Sequence, residues 1–467
     1  MHHPSMSHDT ICALATAPGG AIAVIRISGS QAINITDHLF KSPSGKPLCQ
    51  AKTHSAHYGE LFSKENQLID EVVVTVFRSS HSYTGEESVE ISCHGSRYII
   101  SRIIEELIAQ GCRQARPGEY TQRAFLNGKL DLSQAEAVAD LISATNSATH
   151  KIAMSQLRGH FSSQLSELRE QLLHLTSLLE LELDFSDHDV EFADRKQLHE
   201  LTNTIDHHIN HLLYSFKTGN ALRKGIAVAI VGKTNVGKST LLNRLLHDDK
   251  AIVSDIHGTT RDVIEDTTQI NGVTFRFIDT AGIRHTSDKI EKLGIDRTYK
   301  KLDEASIVLW LTDEEPSKEE SEAISLHTKG KQLICVVNKI DKNGASTYNP
   351  SQYLALSEDM QNVQIVEISA KHGIHIELLE NAIYQAANIP EITENDVIVT
   401  NMRHYDALCR AHEDIVRVKE GFAMGLSGDL LSEDLRACIH HLAEIVGGEI
   451  TADETLGQIF EKFCVGK

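Results

Sequence analysis

This 467-residue sequence is short of three things. No apolar run approaches the length of a membrane-spanning helix, and the start, Met1-His-His-Pro-Ser5, lacks a signal-peptide pattern. A cytoplasmic protein with no membrane span is therefore expected. The eight cysteines (12, 49, 93, 112, 335, 409, 438, 464) include no Cys-x-x-Cys pair and follow no regular spacing. That argues for reduced thiols rather than a disulfide or zinc framework. Positive charge is in deficit: 45 Lys and Arg stand against 65 Asp and Glu, a formal net charge of −20. Such acidity disfavours indiscriminate binding to nucleic acid or anionic lipid, while leaving room for a local basic patch.

The apolar content is ordinary for a globular protein at 41%, and the length calls for two or three domains. Residues 9–130 mix strand-like and helix-like segments. Ala21–Ile27, Glu71–Phe77 and Val89–Cys93 read as strands and Arg97–Ile108 as a covering helix, an α+β domain. From Ser133 the texture is helical, with Ser133-Gln-Ala-Glu136 fitting a capping box. Phe161, Leu165, Leu168, Leu172, Leu175 and Leu179 recur at spacings of 4, 3, 4, 3, 4, read as a helix packed in a bundle. Helical periodicity returns over Ala407–Glu420, Ser432–Val446 and Thr451–Phe463, the last opening with the capping box Thr451-Ala-Asp-Glu454. Histidine is frequent, at 26. His207, His208 and His211 could share a helix turn, for which a solvated face is the plainer reading than a metal site.

Between these helical stretches lie four motifs in fixed order. The first is Gly232-Lys-Thr-Asn-Val-Gly-Lys238-Ser239, after the apolar run Ile226–Val231 and before the helical pattern Ser239–Leu246. Strand, GxxxxGK[ST] and helix make a phosphate loop. Gly232 and Gly237 free the backbone to turn amides toward phosphates, with Asn235 and Val236 in the same loop and Thr240 just after it. Lys238 reaches the β/γ oxygens and Ser239 suits Mg²⁺. The second motif is Gly258-Thr-Thr-Arg-Asp262. The third, Asp279-Thr280-Ala281-Gly282, ends the strand-like Thr274–Ile278. The fourth, Asn338-Lys339-Ile340-Asp341, follows Leu333–Val337, and Ser369-Ala370-Lys371 follows Ile365–Ile368. A carboxylate only accepts hydrogen bonds. Asp341 thus rewards guanine, which offers a ring N–H and a 2-amino group on one edge, and penalises adenine. The residue after Gly282, where many small GTPases place a water-orienting glutamine, is Ile283. Something else must offset transition-state charge, and Asn235 carries an amide oxygen able to ligate a monovalent cation. A GTP-binding, GTP-hydrolysing domain is expected.

The layout, the four motifs, Tyr83-Thr-Gly-Glu86, the run Ala115-Arg-Pro-Gly-Glu-Tyr-Thr-Gln-Arg-Ala-Phe-Leu-Asn-Gly-Lys129 and the ending Phe463-Cys464-Val465-Gly466-Lys467 resemble the MnmE (TrmE) family of tRNA-modification GTPases. The resemblance implies a multidomain α/β protein. A Ras-like P-loop GTPase domain (223–389) is inserted into an α-helical domain (131–222 and 390–467), after an α+β folate-binding-like N-terminal domain (1–130). It implies a homodimer working with the flavoprotein MnmG (GidA), in a complex of heterotetrameric type, on the wobble uridine of certain tRNAs. The cofactors implied are GTP as substrate, Mg²⁺, K⁺ and a tetrahydrofolate derivative in its 5-formyl or 5,10-methylene form. Carried over by motif, K⁺ falls to Asn235, Ser254, Ile256 through its carbonyl, and Thr259, and Mg²⁺ to Ser239 and Thr260. Asp255, His257 and Gly258 line the same nucleotide segment. Glu291 matches a general base acting through a bridging water. Arg26, Glu90, Lys129 and Lys467 match folate contacts, and Cys464 a possible reactive thiol. The competing expectation is a GTP-controlled switch in RNA or ribosome assembly that serves no covalent chemistry.

Overall fold

The computed structural model describes residues 9–184, 195–247, 266–278, 304–343, 363–390, 392–393, 395–448, 459–460, 463 and 466. They fall into two compact units. The first comprises 1–143, 156–208 and 406–467, the second 144–155 and 209–405.

In the first unit a seven-stranded sheet has the order β3-β4-β5-β6-β2-β1-β7. The strands are β1 (Thr10–Leu14), β2 (Ile22–Ser28), β3 (Phe40–Lys41), β4 (Ser55–Phe62), β5 (Leu68–Phe77), β6 (Ser88–His94) and β7 (Cys112–Gln114). All neighbours run antiparallel except β1 and β7. Alternation along β2 turns Ile25 and Ile27 into a core with Val74, Val89 and Ile91. Helices α1 (Ala32–Leu39) and α2 (Arg97–Ala109) cover it, α2 through Ile103 and Leu107. Then α3 (Glu119–Leu126) and α4 (Leu132–Ser143) follow, with α5 (Ser147–Leu157) next along the chain.

The start of α4 corrects the sequence reading. Its capping box is Asp131 with Gln134, not Ser133 with Glu136. The Gln134 amide donates to Asp131 Oδ1 at 2.9 Å, and the Asp131 amide donates to Gln134 Oε1 at 3.0 Å. Ser133 is buried inside the first turn, and its hydroxyl donates to Asp131 at 2.7 Å. Aspartate caps as well as serine does, and here it lies two residues nearer the preceding turn. The other capping box, Thr451 to Glu454, lies outside the described residues.

Every residue of the leucine stripe is buried on α6 (His160–Asp184), which packs against a late helix, Gly428–Val446. Each such leucine contributes about 1.5–3 kcal/mol of burial, which favours a bundle helix over a free coiled coil. His207, His208 and His211 are exposed on α7 (Arg195–Lys224).

The second unit is a six-stranded sheet of order β13-β12-β11-β8-β10-β9. Its strands are β8 (Ile226–Val231), β9 (Asp266–Ile270), β10 (Val273–Ile278), β11 (Ile307–Thr312), β12 (Gln332–Val337) and β13 (Gln364–Glu367). All pairs are parallel except β9 with β10. β8 and β11 are buried along their whole length, as continuous apolar runs in a sheet covered on both faces should be. Among the described residues the helices that follow the strands are α8 (Lys238–His247), α9 (Lys318–His327), α10 (Ile340–Asn343) and α11 (Ile376–Ala386). The late helices are α12 (Met402–Met424) and α13 (Gly428–Val446). Ala407, Leu408, Ala411, Ile415 and Val418 form the buried face of α12, matching the periodicity read over Ala407–Glu420. No helix of the described residues is long and apolar enough to cross a membrane.

Candidate functional site

The parallel strands of the second unit bring three sequence motifs to one edge. β8 ends into the loop 232–237, β12 into Asn338 and β13 into Ser369, and ligands of open parallel sheets bind at such carboxyl ends.

Two glycines let the phosphate loop close. Gly232 has φ +151°, and a methyl group there would collide with the Leu311 carbonyl of β11. Gly237 has φ +102°, and a methyl group there would collide with Nδ2 of Asn338. Val236 is buried between them, while Asn235 is an exposed non-glycine residue at φ +64°. Lys238 opens α8, and its Nζ donates to the carbonyls of Gly232 at 2.6 Å and Lys233 at 2.5 Å. Burial pushes this ammonium below its ordinary value. The amine thus lies inside the curl of the loop, where phosphate oxygens are the natural anionic partners. Ser239 follows in the first turn of α8 and Thr240 is exposed beside it.

Asn338 joins the phosphate loop to the base loop. It is 3% exposed. Its Nδ2 donates to the Val236 carbonyl at 2.7 Å, and its Oδ1 accepts the Ala370 amide at 3.0 Å. Lys339, at φ +67°, sends Nζ back to the Asn235 carbonyl at 2.7 Å and to Asp313 Oδ2 at 2.5 Å. Asp341 Oδ1 accepts the Ser369 hydroxyl at 2.6 Å. That hydrogen bond, ahead of the nearby His372 and Lys342, holds the carboxyl below the ordinary aspartate value, so it stays an acceptor. Ser369 and Ile374 exchange backbone hydrogen bonds that close a short loop, and Arg244 of α8 donates to the Lys371 carbonyl at 3.3 Å. A fixed acceptor-only carboxylate beside a backed loop is what guanine recognition requires.

The other nucleotide and cation residues read from the sequence lie outside the described residues: Ser254, Asp255, Ile256, His257, Gly258, Thr259, Thr260, Asp279, Thr280, Ala281, Gly282 and Glu291. So do Cys464 and Lys467.

The first unit brings two of the four folate candidates together. Arg26 of β2 and Glu90 of β6 are directly opposed across the ladder. Arg26 Nε donates to Glu90 Oε1 at 2.9 Å, and Nη2 stands 2.8 Å from the same oxygen. The guanidinium lies 5.7 Å from each of the Tyr83 and Tyr120 ring centroids, and its Nη1 reaches the Gly466 carbonyl at 3.5 Å. A flat heteroaromatic with N–H donors suits such a site, with a carboxylate to accept and the exposed Tyr83 ring to stack on, while the Tyr120 ring is fully buried. Lys129 lies on the neighbouring loop, and its Nζ donates instead to the Ser80 carbonyl at 2.7 Å.

The sequence reading missed the roles of Tyr83, Tyr120, Asp313 and Arg244. It also left the long 115–129 motif, Lys129 apart, without a physical job. Glu119, 3% exposed, receives Arg113 at 2.5 Å, the Arg116 amide at 2.8 Å and Arg123 at 3.1 Å. Burial pushes its carboxyl up, and those hydrogen bonds overcome the push and leave it below the ordinary value. Arg123 also binds Glu86 and Asp9. Gly118 caps α3 at φ +65°, and a methyl group there would stand 2.6 Å from the Phe460 carbonyl. Between Glu119 and Arg123, Tyr120 stands beside Arg26 and donates its hydroxyl to the Arg26 carbonyl at 2.7 Å. Paired charges in strongly patterned sequence were the signal that could have revealed it.

A glycine loop between a buried strand and a helix, tied through one asparagine to a loop carrying an acceptor-only aspartate, defines a P-loop GTPase. Residues 10–129 match the family described as GTP-binding protein TrmE N-terminus, and residues 132–464 match the MnmE helical domain. A tRNA modification GTPase MnmE of Bacteroides fragilis is 54% identical over 99% of this chain and 100% of its own length. Its namesake in Phocaeicola vulgatus is 52% identical over 99% of both chains. The Flavobacterium johnsoniae namesake is 49% identical over 99% of this chain and 100% of its own. The chain belongs to the MnmE family.

Proposed function

We propose that this protein is a potassium-stimulated GTP hydrolase that serves the modification of tRNA. With the flavoprotein MnmG (GidA), it installs an aminomethyl-type group at C5 of the wobble uridine of certain tRNAs. The observation that carries the nucleotide half is the junction at Asn338, which couples the phosphate loop to the loop holding Asp341. The tRNA half is supported by family membership, since the relatives are tRNA modification GTPases over their whole length.

In this reading residues 1–130 form the tetrahydrofolate-binding and dimerisation domain, 223–389 the GTPase domain, and 131–222 with 390–467 the helical domain. Lys238 orients the β/γ oxygens, Asp341 selects guanine, and Glu291 holds the proton-accepting position through water. Mg²⁺ is held by Ser239 and Thr260, and K⁺ by Asn235, Ser254, the Ile256 carbonyl and Thr259. The donor set fits, being hydroxyls, an amide and a carbonyl, all hard oxygen ligands. The cations supply positive charge to a transition state that has no glutamine at position 283 to orient water. The tetrahydrofolate supplies the one-carbon unit, with Glu90 accepting from its ring N–H groups and Arg26, Lys129 and Lys467 facing its polar and anionic parts.

Deletion of the gene, followed by mass spectrometry of bulk tRNA nucleosides, tests the whole reading. Wobble 5-substituted uridines should vanish, return with wild type and stay absent with Asp279→Ala. Unchanged nucleosides would move the assembly-switch reading to first place. Hydrolysis compared in K⁺ and Na⁺ at one ionic strength tests the cation, and equal rates would remove it.

A further inference from the structure

Two non-glycine residues with left-handed backbone face each other at the nucleotide site. Asn235 in the phosphate loop has φ +64°, and Lys339 after β12 has φ +67°. Outside glycine this region is uncommon, and such conformations persist where their surroundings over-determine them. One ammonium links the two. Lys339 Nζ donates to the Asn235 carbonyl at 2.7 Å, and Asp313 Oδ2 holds the same nitrogen at 2.5 Å. Asp313 comes immediately after β11, so three adjacent parallel strands, β8, β11 and β12, each send one member to this chain of contacts.

We infer that Asp313 is a positioning residue for the cation site, acting through Lys339 on the peptide of Asn235. The inference rests on the potassium reading above and extends it to a residue outside the four nucleotide motifs. A side chain inherits its direction from its backbone, and the Asn235 amide can serve a cation only while the left-handed turn persists. The carbonyl of that turn is held by Lys339 from one side. An ammonium with three donors and a flexible four-carbon stem has many places to go, and a neighbouring carboxylate selects one of them. The Asp313–Lys339 pair is partly exposed, at 26% and 30% of the two side chains, so its value lies in direction more than in stability. Removing the carboxylate frees Lys339 to turn to solvent and releases the Asn235 peptide. Asn338, which ties Val236 and Ala370 independently, keeps the rest of the loop in place.

The test uses the full chain as wild type, Asp313→Ala, Asp313→Asn and Asp313→Glu. Hydrolysis of GTP is followed as K⁺ replaces Na⁺ at constant ionic strength. The potassium-dependent rise in melting temperature is read in parallel with a non-hydrolysable GTP analogue and Mg²⁺ bound, and mant-GDP affinity is titrated separately. For Asp313→Ala and Asp313→Asn we expect the half-effective K⁺ concentration to rise about five-fold or more in both readouts, with mant-GDP affinity within about two-fold of wild type. Asp313→Glu should recover most of the shift. An unshifted potassium dependence in a potassium-responsive wild type overturns the inference alone. An equal fall in mant-GDP affinity and potassium response also overturns it, because Asp313 would then support the whole loop. A wild type indifferent to K⁺ in both readouts overturns the potassium reading and the inference together. If Asp313→Ala does not fold, the near-isosteric Asp313→Asn decides.

Discussion

The nucleotide site of the second unit is made largely of main chain, whereas the Arg26–Glu90 site of the first is made of side chains opposed across two antiparallel strands. In the former, the Val236 carbonyl, the Ala370 amide and the Asn235 carbonyl are the connected groups, and side chains serve as ties between them. In the latter, a guanidinium, a carboxylate and the exposed Tyr83 ring form the surface themselves, while the Tyr120 ring is buried. The two sites tolerate substitution in different ways. A site of backbone fails when the chain cannot adopt its angles. A site of side chains fails in proportion to the charge or ring removed.

The largest effect should follow Gly237→Ala. The substitution puts a methyl group on a residue at φ +102° and drives it into Nδ2 of Asn338. Positive-φ strain and a displaced buried hydrogen bond together cost about 3 kcal/mol, so mant-GDP should bind roughly 100-fold more weakly. Affinity within a few-fold of wild type would mean that the loop has a second conformation open to it, and the contrast between the two sites would collapse.

Next comes Asn338→Ala, which strands the Val236 carbonyl and the Ala370 amide. An unsatisfied buried polar group costs about 1–3 kcal/mol. Some of that is recovered by water entering the space, so GDP affinity should fall about ten- to thirty-fold and the urea midpoint should drop. A lower midpoint with unchanged GDP affinity would assign Asn338 to folding and not to the site.

Glu90→Gln probes the other kind of site. It keeps the shape and removes the charge facing Arg26 at 2.8 Å. Affinity for 5-formyltetrahydrofolate, measured by calorimetry, should fall about ten-fold, the worth of one charge-assisted hydrogen bond. GDP affinity should not follow it. If folate affinity stays put, Arg26 and Glu90 are a surface ion pair worth about 0–1 kcal/mol and nothing more.

The same contrast decides what was legible in the sequence. Gly232, Lys238, Asn338 and Asp341 could be read because a phosphate and a guanine edge dictate residue types at fixed spacing along one strand–loop–helix. The strands β2, β5 and β6, helix α2 and the leucine stripe of α6 could be read because burial writes its period into the chain. Asp313 could not, since its partner Lys339 is 26 residues away and nothing local marks it. The capping box of α4 was misplaced by two residues because Ser133 and Asp131 satisfy the same local rule, and only the hydrogen bonds separate them. Arg26 and Glu90 read as an ion pair without the family resemblance, and an ion pair is what they make; the rings of Tyr83 and Tyr120 that flank the guanidinium come from elsewhere in the chain.

Lys129 should give the smallest effect. Its ammonium is already engaged, donating to the Ser80 carbonyl at 2.7 Å on the exposed side of the loop. To meet an anionic glutamyl tail it must share or surrender that bond, so the net gain from ligand is a screened surface attraction. Lys129→Ala should therefore weaken 5-formyltetrahydrofolate binding only about two- to three-fold, with the loss shrinking further as salt is raised. A loss of ten-fold or more that persists in high salt would place Lys129 beside Glu90 as a desolvated contact. It would mean that the Ser80 carbonyl is only where the ammonium waits, and that the first unit, like the second, holds its binding cation on its own backbone.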